Sequence, residues 1–175
     1  MRPYAEYGVC LFAAVLLVAW WWAPRDRNPR TMAAALWAPV GALLTLGLNQ
    51  PLANFADEPR PYTVFPDALV LVAHSQDYSF PSDHAVMAGA VAAGALLTHR
   101  RLGVATASAA VVMAFARVYI GAHFPLDAIA GLVLGAVVTC VGYLAVRRLL
   151  IWEVTGLTCT PLRPLLTTAE PGLLQ

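Results

Sequence analysis

Five apolar runs follow one another along the chain and predict its architecture. They cover residues 7–23, 31–48, 85–98, 103–122 and 124–146, and Arg117 and Asp127 are the only charged residues within them. A spanning helix needs about 20 residues, with a range of roughly 17–25. The third run reaches that length only if its polar entrance, residues 80–84, lies within the membrane boundary. The pattern predicts an all-α, polytopic membrane bundle of about five transmembrane helices.

Composition supports a membrane protein. The 175 residues are 59% hydrophobic and 12% charged, with a mean hydropathy of +0.65, whereas soluble domains carry about 25% charged residues. The net charge of +1 gives no reason to expect a nucleic-acid partner. The three cysteines are far apart and match no metal or redox motif.

The arginines predict the orientation. They cluster after the first, third and fifth runs, at positions 25, 27 and 30, then 100 and 101, then 147 and 148. The positive-inside rule makes these segments cytoplasmic, so the N-terminus and a long, Pro-rich outer loop at residues 49–80 are expected to face outside. Residues 65–73 are expected to lie along the interface, which would give a sixth membrane segment. Residues 1–150 are predicted to form the membrane domain and residues 151–175 a cytoplasmic tail.

Three polar groups stand at the predicted outer ends of the apolar runs. They are Arg60 with Pro61, then Ser82, Asp83 and His84, and finally Arg117, His123 and Asp127. Ionisable residues at membrane segments are costly and are functional candidates by default. Because all three groups fall on one face, they predict a single site outside the cytoplasm.

The third group has the spacing of an oriented histidine. Pro125 suits the first turn of a helix, which puts His123 just before the helix and Asp127 within its first turn. The carboxylate is then expected to reach back to one imidazole nitrogen and leave the other free as a nucleophile or base. Arg117 is expected to present its fork of donors to an anion.

The second group predicts an anion site at a helix start. Ser82 is expected to cap the helix, whose free N–H groups favour phosphate. His84, in the first turn, is placed to donate a proton to a leaving oxygen. Two histidines, two arginines and a helix N-terminus on one cationic face indicate phosphoryl transfer, which depends on positioning and charge stabilisation.

Structural interpretations remain for each group. His123 and Asp127 are also typical of a helix cap, and Arg60 with Pro61 is typical of an exposed turn. Asp83 is also expected simply to complement the helix dipole. Only the three groups together favour catalysis.

These residues resemble the signature of the type-2 phosphatidic acid phosphatase superfamily, the lipid phosphate phosphatases. Its pattern reads Lys-x6-Arg-Pro, Pro-Ser-Gly-His and Ser-Arg-x5-His-x3-Asp, matched here at positions 60–61, 81–84 and 117–127. The resemblance implies a metal-independent phosphatase in a helical membrane domain, acting on a lipid phosphate. It also implies that His123 attacks phosphorus and forms a phosphohistidine, with Asp127 orienting it and His84 protonating the leaving group. Arg60, Ser82 and Arg117 would hold the phosphoryl oxygens.

Three positions depart from the family pattern. Ala53 stands where the family has Lys, Ala116 replaces the Ser, and Asp83 replaces the Gly. Asn49, Gln50 or Asn54 are candidates for neutral donors near Ala53, and Asp83 is a candidate specificity residue.

The stretch SFPSDHA resembles the branch that dephosphorylates undecaprenyl diphosphate. The Ala- and Arg-rich, Lys-free composition points to a GC-rich bacterium, so the bacterial plasma membrane is the expected location. Two alternatives stay open. One is the same chemistry on phosphatidic acid, phosphatidylglycerol phosphate or a polyprenyl phosphosugar. The other is a degenerate relative that binds or moves lipid phosphates without hydrolysing them.

Overall fold

The computed structural model describes residues 1–23, 28–67, 69–158, 160–161 and 163–167. Within these ranges the chain is helical and has no strand, which confirms the all-α prediction. The helices are α1 (Arg2–Trp22), α2 (Pro29–Ala56), α3 (Pro61–Val64), α4 (Asp83–Thr98), α5 (Arg100–Tyr119), α6 (Pro125–Leu157) and α7 (Arg163–Leu166). Arg25, Arg27, Cys159 and the last eight residues of the predicted tail lie outside the described residues.

Four helical segments of the described chain are long and apolar enough to cross a membrane. They are Pro3–Trp22, Pro29–Val64, Arg100–Tyr119 and Pro125–Leu157, and they make the chain a multi-pass membrane protein. The third predicted run forms α4, which has 16 residues and falls short of that length. Large apolar side chains on the long helices point outward, as expected for surfaces that face lipid; examples are Leu17, Leu43, Phe115 and Val133.

Two helices extend beyond the apolar runs that predicted them. Helix α2 continues through Pro51 to Ala56, so positions 49–56 are helical and not part of an outer loop. Helix α6 continues through Arg147 and Arg148 to Leu157, so the start of the predicted tail is helical. The short α7 then returns to this end of the bundle, where Leu166 packs in one cluster with Val154 of α6 and Met32 of α2.

Helix α4 lies at the centre of the bundle and packs against α1, α2, α5 and α6. Its contact with α6 depends on glycine. A Cβ atom on Gly89 would collide with the backbone carbonyl of Leu132, and one on Gly135 would collide with that of Val86. Small residues let membrane helices approach to backbone contact. Since α4 and α6 both begin at the predicted site, this contact fixes the separation of their first turns.

We expect Gly135→Ala to lower the thermal unfolding midpoint of the detergent-solubilised protein. The added methyl group must push α6 away from α4, and overpacking of this kind costs roughly 1–3 kcal/mol. Gly47→Ala in α2 is the matched control, because nothing lies within 4 Å of a Cβ at that position. That change should be neutral or stabilising, since Ala favours a helix over Gly by about 1 kcal/mol. Equal midpoints for the two variants would contradict the close packing of α4 and α6.

Candidate active site

One cavity of about 380 Å³ collects most of the predicted site residues. Its walls come from the end of α2, the start of α3, the segment 72–78, the start of α4, the end of α5 and the α5–α6 connection. The predicted residues that line it are Arg60, Asp83, His84, Arg117 and His123. Ser82 and Asp127 are fully buried and lie behind the cavity wall.

The segment 72–78 is held over the cavity by Tyr62. The Tyr62 hydroxyl donates to the carbonyl oxygen of Ser75 at 3.0 Å and accepts from the Ser75 amide at 2.8 Å. Its ring stacks on His74 with the ring centroids 4.3 Å apart. These contacts fix a loop that has no regular secondary structure, so the cavity has a defined wall on this side.

His123 sits at the back of the cavity and is only 3% exposed. Its Nδ1 lies 2.8 Å from the carbonyl oxygen of Ser79. Its Nε2 lies 3.4 Å from Nη1 of Arg60 and 3.3 Å from Nη2 of Arg117. A carbonyl can only accept and a guanidinium can only donate. Both sides of the ring therefore require the same tautomer, with the proton on Nδ1 and the lone pair on Nε2.

The surroundings of His123 favour its neutral form. Burial lowers the pKa of His123 below its ordinary value, and the cationic Arg60 and Arg117 lower it further, while the nearby Asp127 carboxylate opposes them. Because the lowered pKa keeps the imidazole uncharged at neutral pH, the Nε2 lone pair is available for reaction.

Asp127 faces His123 without a direct hydrogen bond. Its Oδ2 is 3.7 Å from Nδ1 of His123, beyond the usual limit of about 3.2 Å. The same oxygen accepts from the Ser79 hydroxyl at 2.5 Å and from the Phe124 amide at 2.9 Å. The carboxylate thus caps the start of α6, as the structural interpretation predicted, and also anchors Ser79.

The two arginines have different numbers of free donors. Arg60 is 8% exposed, which excludes the exposed-turn interpretation. It donates from Nε and Nη2 to Asp77, at 3.0 and 3.2 Å, and from Nη1 to the carbonyl of Ala122 at 3.1 Å. Arg117 donates from Nη1 to the Ala5 carbonyl at 3.3 Å, and its buried Nε has no partner among the described residues. Arg117 therefore has more donors left for an anion.

Ser82 occupies the cap position of α4, but its side chain makes no capping hydrogen bond. Its hydroxyl is buried and has no partner within the described chain. Its amide donates to the carbonyl of Asp127 at 3.2 Å, which ties the start of α4 to the start of α6. The backbone of Ser82 thus bridges two helices, and the role of its side chain as a phosphate ligand stays a prediction.

Asp83 is held by amides from α2. Nδ2 of Asn49 donates to its Oδ1 at 2.6 Å, and Nε2 of Gln50 lies 3.2 and 3.3 Å from its two oxygens. Asn49 also donates to the Pro81 carbonyl at 3.1 Å. These amides therefore serve Asp83 and do not replace the missing lysine at Ala53. Ala53 and Asn54 both line the cavity, and Asn54 remains a candidate donor.

Two residues of the site were not predicted from the sequence. Ser79 contacts both His123 and Asp127, and Asp77 contacts Arg60. The position of Ser79 just before the Pro-Ser-Asp-His quartet was the available signal for that residue. Among the described residues, no three His, Cys, Asp or Glu side chains group as metal ligands.

The chain resembles several proteins named as phosphatases in sequence. It is 29% identical to undecaprenyl-diphosphatase BcrC of Bacillus subtilis, over 76% of this chain and 66% of that protein. It is 38% identical to an undecaprenyl-diphosphatase of Sulfolobus acidocaldarius, over 44% of this chain and 38% of that protein. It is 44% identical to a lipid A 1-phosphatase of Rhizobium johnstonii, over 36% of this chain and 26% of that protein. The chain thus spans slightly less than two thirds of BcrC.

No solved structure matches the chain significantly. A family model, that of the PAP2 superfamily, matches residues 34–151. The matched region contains α3 to α5 and most of α2 and α6, and with them all the residues of the predicted signature. Since the match covers more than half of the sequence and includes the whole cavity wall, the chain belongs to the PAP2 superfamily.

Proposed function

We propose that this protein is a membrane phosphatase that hydrolyses undecaprenyl diphosphate to the monophosphate and inorganic phosphate. The observation that carries the proposal is the environment of His123. Its Nε2 bears a lone pair, faces two guanidinium groups and shares a cavity with His84. A neutral nucleophile surrounded by cationic donors suits attack on a phosphate whose charge must be stabilised.

The proposed reaction has two steps. Nε2 of His123 attacks the terminal phosphorus while Arg60 and Arg117 stabilise the phosphoryl oxygens. As the N–P bond forms, the bond to the bridging oxygen breaks, and His84, in the imidazolium form that the charge of the bound phosphate favours, gives that oxygen its proton. Water then attacks the phosphohistidine with His84 accepting a proton, which releases inorganic phosphate and restores Nε2. Asp127 positions His123, Ser82 is assigned to the phosphate-binding group, and no metal or cofactor takes part.

The membrane location supports the choice of a lipid substrate. The cavity lies where α2 and α5 end and α4 and α6 begin, at the boundary of the apolar bundle. The exposed Arg100, Arg101, Arg147 and Arg148 lie towards the opposite ends of α5 and α6. The positive-inside rule makes that end cytoplasmic, so the proposed site faces outside a bacterial plasma membrane. We assign the phosphatase to residues 1–150 and the cytoplasmic tail to residues 151–175.

The lipid itself is proposed from relatives. Two of the three relatives are named undecaprenyl-diphosphatases, and their names support a polyprenyl diphosphate. The third is named a lipid A 1-phosphatase, which supports a different lipid phosphate as the second candidate. A non-catalytic lipid-phosphate binder is the remaining candidate, motivated by the absence of the family lysine at Ala53.

We expect purified protein to release phosphate from undecaprenyl diphosphate in the presence of a chelator. His123→Ala should reduce that release by at least about 10³-fold, because the nucleophile is lost. His99→Gln, at the opposite end of the bundle, is the control and should retain activity. A panel containing phosphatidic acid, phosphatidylglycerol phosphate, a polyprenyl phosphosugar and lipid A should show lower turnover. Lipid binding with no turnover of any substrate would favour the non-catalytic candidate.

The pH profile should reflect the lowered pKa of His123. A lowered pKa means that the imidazole stays neutral to more acidic pH. The acid limb of kcat/KM, which reports the free enzyme, should therefore lie below about 6.5, the ordinary histidine value. Thermal stability measured across the same range separates protonation from unfolding. If the acid limb of kcat/KM lies at or above about 6.5 while the protein is still folded, His123 is not the neutral nucleophile.

Asp83→Asn should change the choice between diphosphate and monophosphate lipids. The substitution removes a negative charge from the cavity and keeps an oxygen that can accept from Asn49 and Gln50. Removing the negative charge should stabilise the more highly charged diphosphate in the cavity more than the monophosphate. The expected difference is about 1 kcal/mol, or roughly a fivefold increase in the ratio of the two kcat/KM values. Asp83→Gly should shift the ratio in the same direction. An unchanged ratio would reduce Asp83 to a residue that stabilises the helix start.

A further inference from the structure

We propose that Asp77 is the counter-ion of Arg60 and limits how tightly the site holds inorganic phosphate, the product that must leave after each turnover. The inference deepens the proposed function and rests on it, because it concerns the release of phosphate from that same site. Asp77 lies between the first and second polar groups of the signature and belongs to neither.

The first step of the argument concerns the contact between the two residues. The carbonyl oxygen of Asp77 accepts from Nε of Arg60 at 3.0 Å, and its Oδ2 accepts from Nη2 at 3.2 Å. The Arg60 side chain is 9% exposed, whereas that of Asp77 is 65% exposed. Asp77 also lines the cavity. A phosphate that binds Arg60 therefore meets a carboxylate that already compensates the charge of this guanidinium.

The second step concerns the position of that carboxylate. The backbone is held on both sides of Asp77. Two residues earlier, both backbone groups of Ser75 bond to the Tyr62 hydroxyl. Two residues later, the Ser79 amide donates to the Glu58 carbonyl at 2.8 Å. Because the backbone is fixed in this way, Asp77 stays beside the cavity when an anion enters.

The third step compares the two arginines. Both guanidinium groups approach Nε2 of His123, at 3.4 Å from Arg60 and 3.3 Å from Arg117. Arg117 donates to the carbonyl of Ala5, and within the described ranges no ion pair joins it to a carboxylate. An anion between the arginines thus gains the charge of Arg117 in full and that of Arg60 in part. Since holding the product tightly does not speed the reaction, the carboxylate favours turnover.

The test measures the affinity for inorganic phosphate in Asp77→Asn. Asn keeps an oxygen for Nη2 of Arg60, and the backbone carbonyl still accepts from Nε, so the substitution removes the charge and retains the contacts. We expect the Kd of phosphate, measured by titration calorimetry on the detergent-solubilised protein, to fall roughly fivefold. Asp67→Asn is the matched control, because it makes the same change in net charge at an exposed residue that does not line the cavity.

The same difference should appear in product inhibition. The Ki of inorganic phosphate against conversion of radiolabelled undecaprenyl diphosphate should fall with the Kd in Asp77→Asn. Raising the salt concentration from about 0.05 to 0.5 M should shrink the difference between variant and wild type, because salt screens exposed charges. A difference that persists unchanged at high salt would show a structural effect and overturn the counter-ion role.

Asp77→Ala separates a counter-ion from an anchor. It removes both the charge and the acceptor of Nη2. If Asp77 acts through its charge, Asp77→Ala should also bind phosphate more tightly than the wild type. If Asp77 instead matters because it holds Arg60 in place, both variants should bind phosphate with wild-type affinity or more weakly, and the inference is wrong.

The outcomes are distinguishable from failure of the proposed function. If His123→Ala is inactive but inorganic phosphate inhibits the wild type and both Asp77 variants equally, the counter-ion role fails and the nucleophile stands. A wild type that phosphate does not inhibit would also overturn this inference alone, since no hold on the product would need to be limited. If His123→Ala retains activity, the proposed function itself fails.

Discussion

The close backbone contact between α4 and α6 is the constraint on which the site depends. His84 lies in the first turn of α4, and His123 lies just before α6. Their separation is therefore set by how closely these helices approach. Gly89, Gly131 and Gly135 leave no room for a side chain at that contact, and the Ser82 amide reaches the Asp127 carbonyl across it. Packing in the apolar interior thus determines geometry at the polar end.

The charges of the cavity are balanced only in part. Arg60 has a carboxylate partner in Asp77, whereas Arg117 is held by the Ala5 carbonyl and faces the neutral His123. A buried cation without a full counter-charge is costly, and a bound phosphate would supply that charge. Asp83 is the one carboxylate of α4 on the cavity, and two amides already hold it. The arrangement favours an anion that approaches Arg117 from the open side.

The sequence allowed the helices and most of the site to be predicted, because both depend on local spacing. The apolar runs predicted the helices. The motif spacings predicted that His84, Arg117, His123 and Asp127 lie near helix ends. Three features could not be obtained in this way. The second apolar run ends at residue 48, yet α2 continues past Pro51 to Ala56. Asp77 and Ser79 act through contacts with residues 17 and 48 positions away along the chain, and no periodic pattern marks either residue.

The hydrogen bond from Arg117 to the carbonyl of Ala5 also has a consequence for biogenesis. Membrane helices enter the bilayer in the order of synthesis, so α1 waits there until α5 arrives. Only then can the guanidinium meet its acceptor, and only after α6 starts can His123 take its position. The cationic centre therefore forms late in assembly. An incompletely assembled chain therefore holds an arginine without this acceptor, and a buried charge without partners is costly.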